Sequence, residues 1–460
     1  MIPVNSRAPA VAPAFQRPSW EPSRSGLQAV PRSPGLVVLA ALAVYLVFRF
    51  SMLQDFIGYR FGLNTRYHYI CIPILLLASA FGGRLVSVLR SSLGIWMIAF
   101  TFWIGACIPT SAWRGGSFAV FKNYVLNDFM IFVVLGCVAC VLSAQKLAVY
   151  AMAVAMALFL LILVGTSVLS TAGARAMMDY GTYGNPNSVA ALLLFLGAFL
   201  VCAMLLAKPI GVIRVAGLAI LCAGTVFFFR SGSRGGLLAL CITLAVVFLT
   251  LPLGKKAVAV LLLIVVVPVS VALLPKDKLL RYHTIFSGNS GSEVTGEDAR
   301  MLDSAIGSTL LRELVFKESV AISFHNPIFG VGPGQFETYE ANGAKAAGQR
   351  AIWLVTHNAY TQVSSEMGLV GFVFYMGVLI TTGLSLRRIR KRLRGIPDMR
   401  PAYCIASCLL TAWISYCVFS VFDYVAYYQY VPLMAGLTVG LKTAVEGELA
   451  SGAAPAAPAI

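Results

Sequence analysis

Charge is scarce in this sequence. Only 12% of its 460 residues are Asp, Glu, Lys or Arg, while 59% are hydrophobic. Soluble domains carry about 25% charged residues, so an ordinary water-facing globule is excluded. Acids are scarcer still, 18 against 35 Lys and Arg, for a net charge of +17. That surplus does not indicate nucleic acid, because the basic residues cluster in short segments between apolar runs, as loops on the cytoplasmic side do. None of the ten cysteines falls in the long polar stretch 275–356, which argues against a disulfide framework there. Cys137 and Cys140 form a CxxC inside an apolar run with no second pair, and read as small packing residues. No G-x-x-x-x-G-K-S/T stretch is present, which excludes a P-loop ATPase. There is no close DxD or HxxxH; Glu293, Glu297, Asp298 and Asp303 read as solvated loop acids, and no metal site is predicted. The first 34 residues are rich in Pro, Ser and Arg and lack an apolar h-region, so they read as a disordered tail and not as a cleavable signal peptide. Internal repeats are not evident.

Apolar runs fill the rest, with a mean hydropathy of +0.83. They predict an all-α membrane protein of about twelve spans, near 35–54, 67–82, 93–111, 123–143, 147–170, 188–207, 212–229, 235–251, 255–274, 358–385, 402–421 and 430–445. The basic run Arg387, Arg388, Arg390, Lys391, Arg392, Arg394 is a cytoplasmic signal; with Arg84, Arg90, Lys146, Lys208, Arg214, Lys255 and Lys256 it sets both termini inside and 275–356 outside. The organisation expected is a tail over 1–34, spans one to nine over 35–274, an outer loop domain over 275–356, spans ten to twelve over 357–445, and a disordered tail over 446–460. Apolar residues Ile306, Leu310, Leu314, Val315 and Ile322 recur at helical spacing, so one or two helices should cap the bundle. Residues 287–297 are rich in Gly and Ser and read as a loop.

Polar residues near membrane depth are costly and tend to be functional. On the outer side Arg234 stands in SGSRGG where one span ends and the next begins, with Arg230 one turn before it. Helix N-terminal N–H groups plus a fork-shaped guanidinium suit phosphate oxygens. The bland alternative is an interfacial arginine that snorkels to headgroups. Arg312 lies in the amphipathic stretch, where pairing with Glu313 or Glu318 is the structural alternative; Arg114, Lys122 and Arg175 are further outer cations. His357 opens the tenth span, and an imidazole of ordinary pKa about 6.5 suits proton transfer. Its alternative is a local hydrogen bond at a helix start. Asn358, Gln362, Ser365 and Glu366 form a stripe that should face protein or water. Glu366 is nine residues from His357, about 180° around an ideal helix, and reads as a supporting residue.

These residues fall into an ordered set. GNPNSVAALLLF (184–195), SGSRGGLLAL (231–240), Arg312 fifteen residues before the Pro of HNPIFGVGPGQF (325–336), and THNAYTQVSSEMGLVG (356–371) follow one another. In this order, with the long outer loop, they resemble the O-antigen ligase and O-antigen polymerase superfamily of bacterial membrane glycosyltransferases over roughly 35–445. One departure is Phe316, where the family commonly has Trp four residues after the second arginine. The resemblance implies a GT-C-like bundle in the bacterial inner membrane with its site on the periplasmic face, and an inverting transferase without metal or cofactor. It implies a glycan donor on undecaprenyl diphosphate, and lipid A core or a growing polysaccharide as acceptor. It carries the family's two arginines to Arg234 and Arg312 and its histidine to His357. Beside these, the position of Arg230 lets it share the diphosphate site or simply flank it, and Asn187, Asn358 and Glu366 read as supporting residues. Ligase and polymerase share these motifs, so both remain open. The other class of reading is a polysaccharide transporter or flippase, with Glu366 or Asp128 binding a coupling ion. Against it, the polar residues gather at the outer face.

Overall fold

The computed structural model describes residues 33–166, 185–208, 211–250, 256–257, 260, 264, 297–350 and 353–453. Among them the chain is helical throughout, without strands. In order the helices are α1 (Leu36–Ser51), α2 (Leu53–Phe61), α3 (His68–Phe81), α4 (Leu85–Leu89), α5 (Ser92–Ala106), α6 (Arg114–Asn123) and α7 (Met130–Val138). There follow α8 (Leu142–Thr166), α9 (Pro186–Leu206), α10 (Val212–Arg230), α11 (Arg234–Thr250), α12 (Glu297–His325), α13 (Phe336–Ala346), α14 (Ala359–Leu393), α15 (Arg400–Phe419) and α16 (Tyr430–Ala453).

Among the described residues, six helices are long and apolar enough to cross a membrane, or seven if the bent pair α1–α2 is one span. The chain is a multi-pass membrane protein. The apolar stretches read at 67–82, 93–111 and 235–251 correspond to the shorter helices His68–Phe81, Ser92–Ala106 and Arg234–Leu249. Most of the ninth predicted span, nearly all of the Gly/Ser stretch, and Arg175 lie outside the described residues. Breaks shorten other runs. α1 and α2 meet at 66°, at Met52 in a left-handed conformation, and α6 passes into α7 through a π turn, Tyr124–Phe129. At the chain's other end α16 stays helical to Ala453, beyond residue 446, where the sequence reads as a tail. Glu446, Glu448, Leu449 and Ala450 favour helix there, and Lys442 and Glu446 sit one turn apart, 4.0 Å between charges.

The core is apolar and formed between helices: α1 packs on α8, α16 on α7, α9 on α8 and α15, and α14 on α5, α12 and α15. Asp128, fully buried in the π turn, is held 2.9 Å from Arg49 of α1. An acid already neutralised this way is a structural ion pair, which weakens its reading as an ion-coupling residue.

The feature that most shapes the outer end is a break inside α14. Gly368 has φ 68° and ψ −177°, and the segment after α12 threads across the gap. Leu369 donates its N–H to Pro327 O (2.7 Å), Val331 to Ser365 O (3.0 Å) and Gly332 to Glu366 O (2.9 Å). Both glycines at the crossing are required. A Cβ on Gly330 would meet the Glu366 backbone, one on Gly368 would meet the Ile328 carbonyl, and both have positive φ. Trp103 Nε1 donates to Met367 O (2.9 Å), satisfying a carbonyl that the break frees, and its ring stacks on Phe329 at 5.3 Å.

Candidate active site

The four motifs meet at one end of the bundle. In the first, Asn185 caps α9, its Oδ1 accepting the Asn187 N–H at 2.9 Å, and Pro186 takes the first helical position, where no N–H is needed. That places Asn187 and Ser188 in the first turn, both buried. In the second, Ser231 closes α10 by donating to Phe228 O (2.6 Å), and Ser233 caps α11 by accepting the Gly236 N–H at 3.0 Å. Arg234 is therefore the first residue of α11. The same Ser233 hydroxyl donates to Asn187 Oδ1 at 2.8 Å, tying the first motif to the second. Asn187 Nδ2 is buried and has no hydrogen-bond partner, a donor left over at the site.

The third motif comes from α12. Arg234 Nη2 donates to Thr309 Oγ1 at 2.9 Å. Arg312 follows Thr309 by three residues, on the same face of the helix. The two guanidinium groups are close enough that Arg234 disfavours the charge on Arg312, after burial, which is the larger cause. Glu313 does not take the structural pairing with Arg312, because it bonds Lys317 at 2.8 Å. The acid that acts on Arg312 is Asp423.

The fourth motif supplies His357 at the start of α14. Asn358 is the cap, its Oδ1 accepting the N–H groups of Tyr360 (2.9 Å) and Thr361 (3.1 Å). Ala359 N–H bonds Ser420 O at 2.8 Å, fixing this start to the end of α15. His357 itself has φ 49°, a left-handed conformation unusual for a side-chain-bearing residue and often found where function over-determines geometry. Its Nδ1 is buried without a hydrogen-bond partner, and its ring stands edge-on to Tyr424 at 6.1 Å. Burial, and then the charge of Arg312, push its pKa down to about 4. At neutral pH the imidazole is uncharged and can accept a proton.

Glu366 lies elsewhere. Its Oε2 accepts from Gly334 N–H (2.8 Å) and Tyr427 O–H (2.6 Å), bracing the Gly-rich loop against the connection after α15. The whole stripe Asn358, Gln362, Ser365, Glu366 is buried in protein. Arg230 ends α10 one turn before Arg234, where a cation suits the negative end of the helix.

Sequence reasoning missed Asp423. It is fully buried between α15 and α16, accepts from Ser188 Oγ at 2.8 Å and from Tyr424 N–H at 3.0 Å, and so joins the first motif to the region of Arg312. Burial lifts its pKa to about 6, while those two hydrogen bonds and the charge of Arg312 limit the rise. The signal available was an acid in VFDYVAYY between two apolar runs, on the same side as His357. Among the described residues, the one close group of three metal-ligating side chains is at the other end of the bundle.

The site thus combines two cations, one neutral base and one buried counter-charge at a helix N-terminus, an arrangement suited to gripping a diphosphate beside a hydroxyl that loses its proton. A comparison with curated proteins finds no match. A comparison with protein families does: residues 217–376, about a third of the chain and the stretch that holds Arg234, Arg312 and His357, match the family described as O-antigen ligase.

Proposed function

We propose that this protein is a membrane glycosyltransferase that moves a glycan from undecaprenyl diphosphate to lipid A core or to a growing polysaccharide, on the periplasmic face of the bacterial inner membrane. The observation that carries the reading is the convergence of Arg234, Arg312 and His357, with Arg234 bonded to Thr309 at 2.9 Å and His357 uncharged beside Arg312. About twelve spans in a GT-C-like bundle, with both termini in the cytosol, would put this cluster outside.

In the reaction, the acceptor hydroxyl attacks the anomeric carbon from the face opposite the diphosphate, inverting it. The bond from that carbon to the diphosphate oxygen breaks and its electron pair leaves with the diphosphate. Arg234 and Arg312 stabilise the charge that develops there, with Arg230 assisting. The hydroxyl proton passes to the His357 imidazole, which holds the acceptor in line. Asp423 sets the position and field of Arg312. Asn187 and Asn358 support the two helix starts, and Glu366 the Gly-rich loop. The diphosphate ester supplies the energy, so no cofactor or resident metal is needed.

The test is transfer by purified protein in detergent, with lipid-linked glycan and acceptor supplied and no sealed compartment. Product is expected from wild type and lost in Arg234→Ala, Arg312→Ala and His357→Ala proteins that insert normally. Full activity in the Arg234→Ala protein would remove the role given to that residue, and no product from wild type would favour transport. A deletion strain separates the versions: core-only lipopolysaccharide with accumulated lipid-linked glycan marks a ligase, and single repeat units mark a polymerase.

A further inference from the structure

At the end of the bundle away from the active site, three thiols come together. Cys202 is in α9, and Cys404 and Cys408 are one turn apart on α15, where the two helices pack. The three sulfur atoms lie within 4.8 Å of one another. Each thiol is in contact with both others. Cys202 is buried, and Cys404 and Cys408 are partly so. Cys202 is fifteen residues beyond Asn187 on the same helix, about 22 Å away at helical rise, so this cluster is separate from the transfer chemistry.

From this geometry we propose that Cys202, Cys404 and Cys408 form a three-coordinate site for a soft monovalent metal ion, cuprous copper. Three sulfurs around one ion at a metal–thiolate length of about 2.3 Å stand about 4.0 Å apart, so the trio closes on a metal with a side-chain adjustment of less than about 1 Å. The donor set is all sulfur, which selects soft ions over magnesium, calcium or manganese. Structural zinc takes four ligands, and among the described residues no histidine or carboxylate completes this group. A monovalent ion accepts three. Binding displaces thiol protons to solvent and leaves net negative charge on the centre. Two features offset that charge. Arg400, the first residue of α15, acts electrostatically on Cys404, and Cys404 lies near the positive end of that helix. On the topology proposed above this end faces the cytosol, a reducing compartment that keeps thiols free and copper cuprous.

The alternative is three small residues that merely pack. Full-length protein in detergent, with Cys137→Ser and Cys140→Ser removing the CxxC pair, separates the two when titrated anaerobically with cuprous bicinchoninate. The site should draw one equivalent of copper from the chelator, and copper-edge X-ray absorption should show three sulfurs at about 2.3 Å. Cys202→Ser should lose that equivalent. If this substitution inside the α9–α15 contact disturbs folding, the less buried Cys404→Ser decides the same question. Failure to take copper from the chelator, or uptake undiminished in the folded serine variant, overturns the site. Transfer activity is unaffected by either outcome, so the two proposals stand or fall separately.

Discussion

Replacing Asp423 with asparagine should make the protein more stable at neutral pH while impairing transfer. Burial raises the carboxyl pKa from 3.8 to about 6. In the unfolded chain the group is an ordinary aspartate. Above pH 6 the folded protein therefore holds an ionised carboxylate at a cost of about 3 kcal/mol, since each pKa unit is worth about 1.4 kcal/mol. That figure already includes the attraction of Arg312, because the attraction is one of the causes that limit the shift. As pH falls through 6 toward 3.8, the folded form takes up a proton that the unfolded form does not, and the cost disappears. The asparagine side chain mimics the protonated state: it can still accept from Tyr424 N–H, and the Ser188 hydroxyl can turn to accept in place of donating. The Asp423→Asn protein should exceed wild type by up to about 3 kcal/mol at pH 7.5, with the gap closing near pH 4. Unfolding in mixed micelles of rising SDS fraction, followed by circular dichroism at several pH values, measures this. A less stable variant at pH 7.5, or a difference that does not change with pH, would refute the linkage. The expected stability gain with loss of transfer is the signature of a group kept for chemistry.

The pH dependence of transfer should follow the same carboxyl: activity falls as pH drops through about 6, and His357, held at about 4, contributes no loss near its ordinary 6.5, as rate profiles of wild type and Asp423→Asn would show. Glu366→Leu leaves Gly334 N–H and Tyr427 O–H buried without an acceptor and should cost about 2–4 kcal/mol in the same unfolding assay, whereas Glu366→Gln keeps an accepting oxygen and costs less. Gly368→Ala forces a Cβ toward the Ile328 carbonyl at positive φ and should lower stability by more than about 1 kcal/mol, seen as a shift of the unfolding midpoint; Phe316→Trp, on an exposed position, should leave it unchanged.

Much of the fold was legible because apolar runs and helix signals are local. The helical spacing read from Ile306 to Ile322 lies inside α12, and the Asn-Pro-Asn and Ser-Gly-Ser-Arg-Gly stretches do start α9 and α11. What was not legible depends on distant partners. Asp423 looks like a loop acid until Ser188 is seen to reach it. Cys202 shows no relation to Cys404 and Cys408 along the chain, because helix packing alone joins them. The break at Gly368 is hidden in a run apolar enough to read as one span, since the bonds that replace its missing helix turn come from Pro327–Gly332.

That threaded crossing makes α12 an unequal lever. Beyond its C-terminal end it is sewn to α14 by backbone bonds on Pro327, Val331 and Gly332, and Ala112 N–H adds another to Val331 O at 2.9 Å. Around Thr309 it is held by a side-chain contact with Arg234. Side-chain contacts between exposed groups part more readily than several main-chain bonds in a buried seam. The C-terminal end of α12 is therefore its fixed end, and any displacement of that helix would be larger at Thr309 and Arg312 than at the seam beside Glu366.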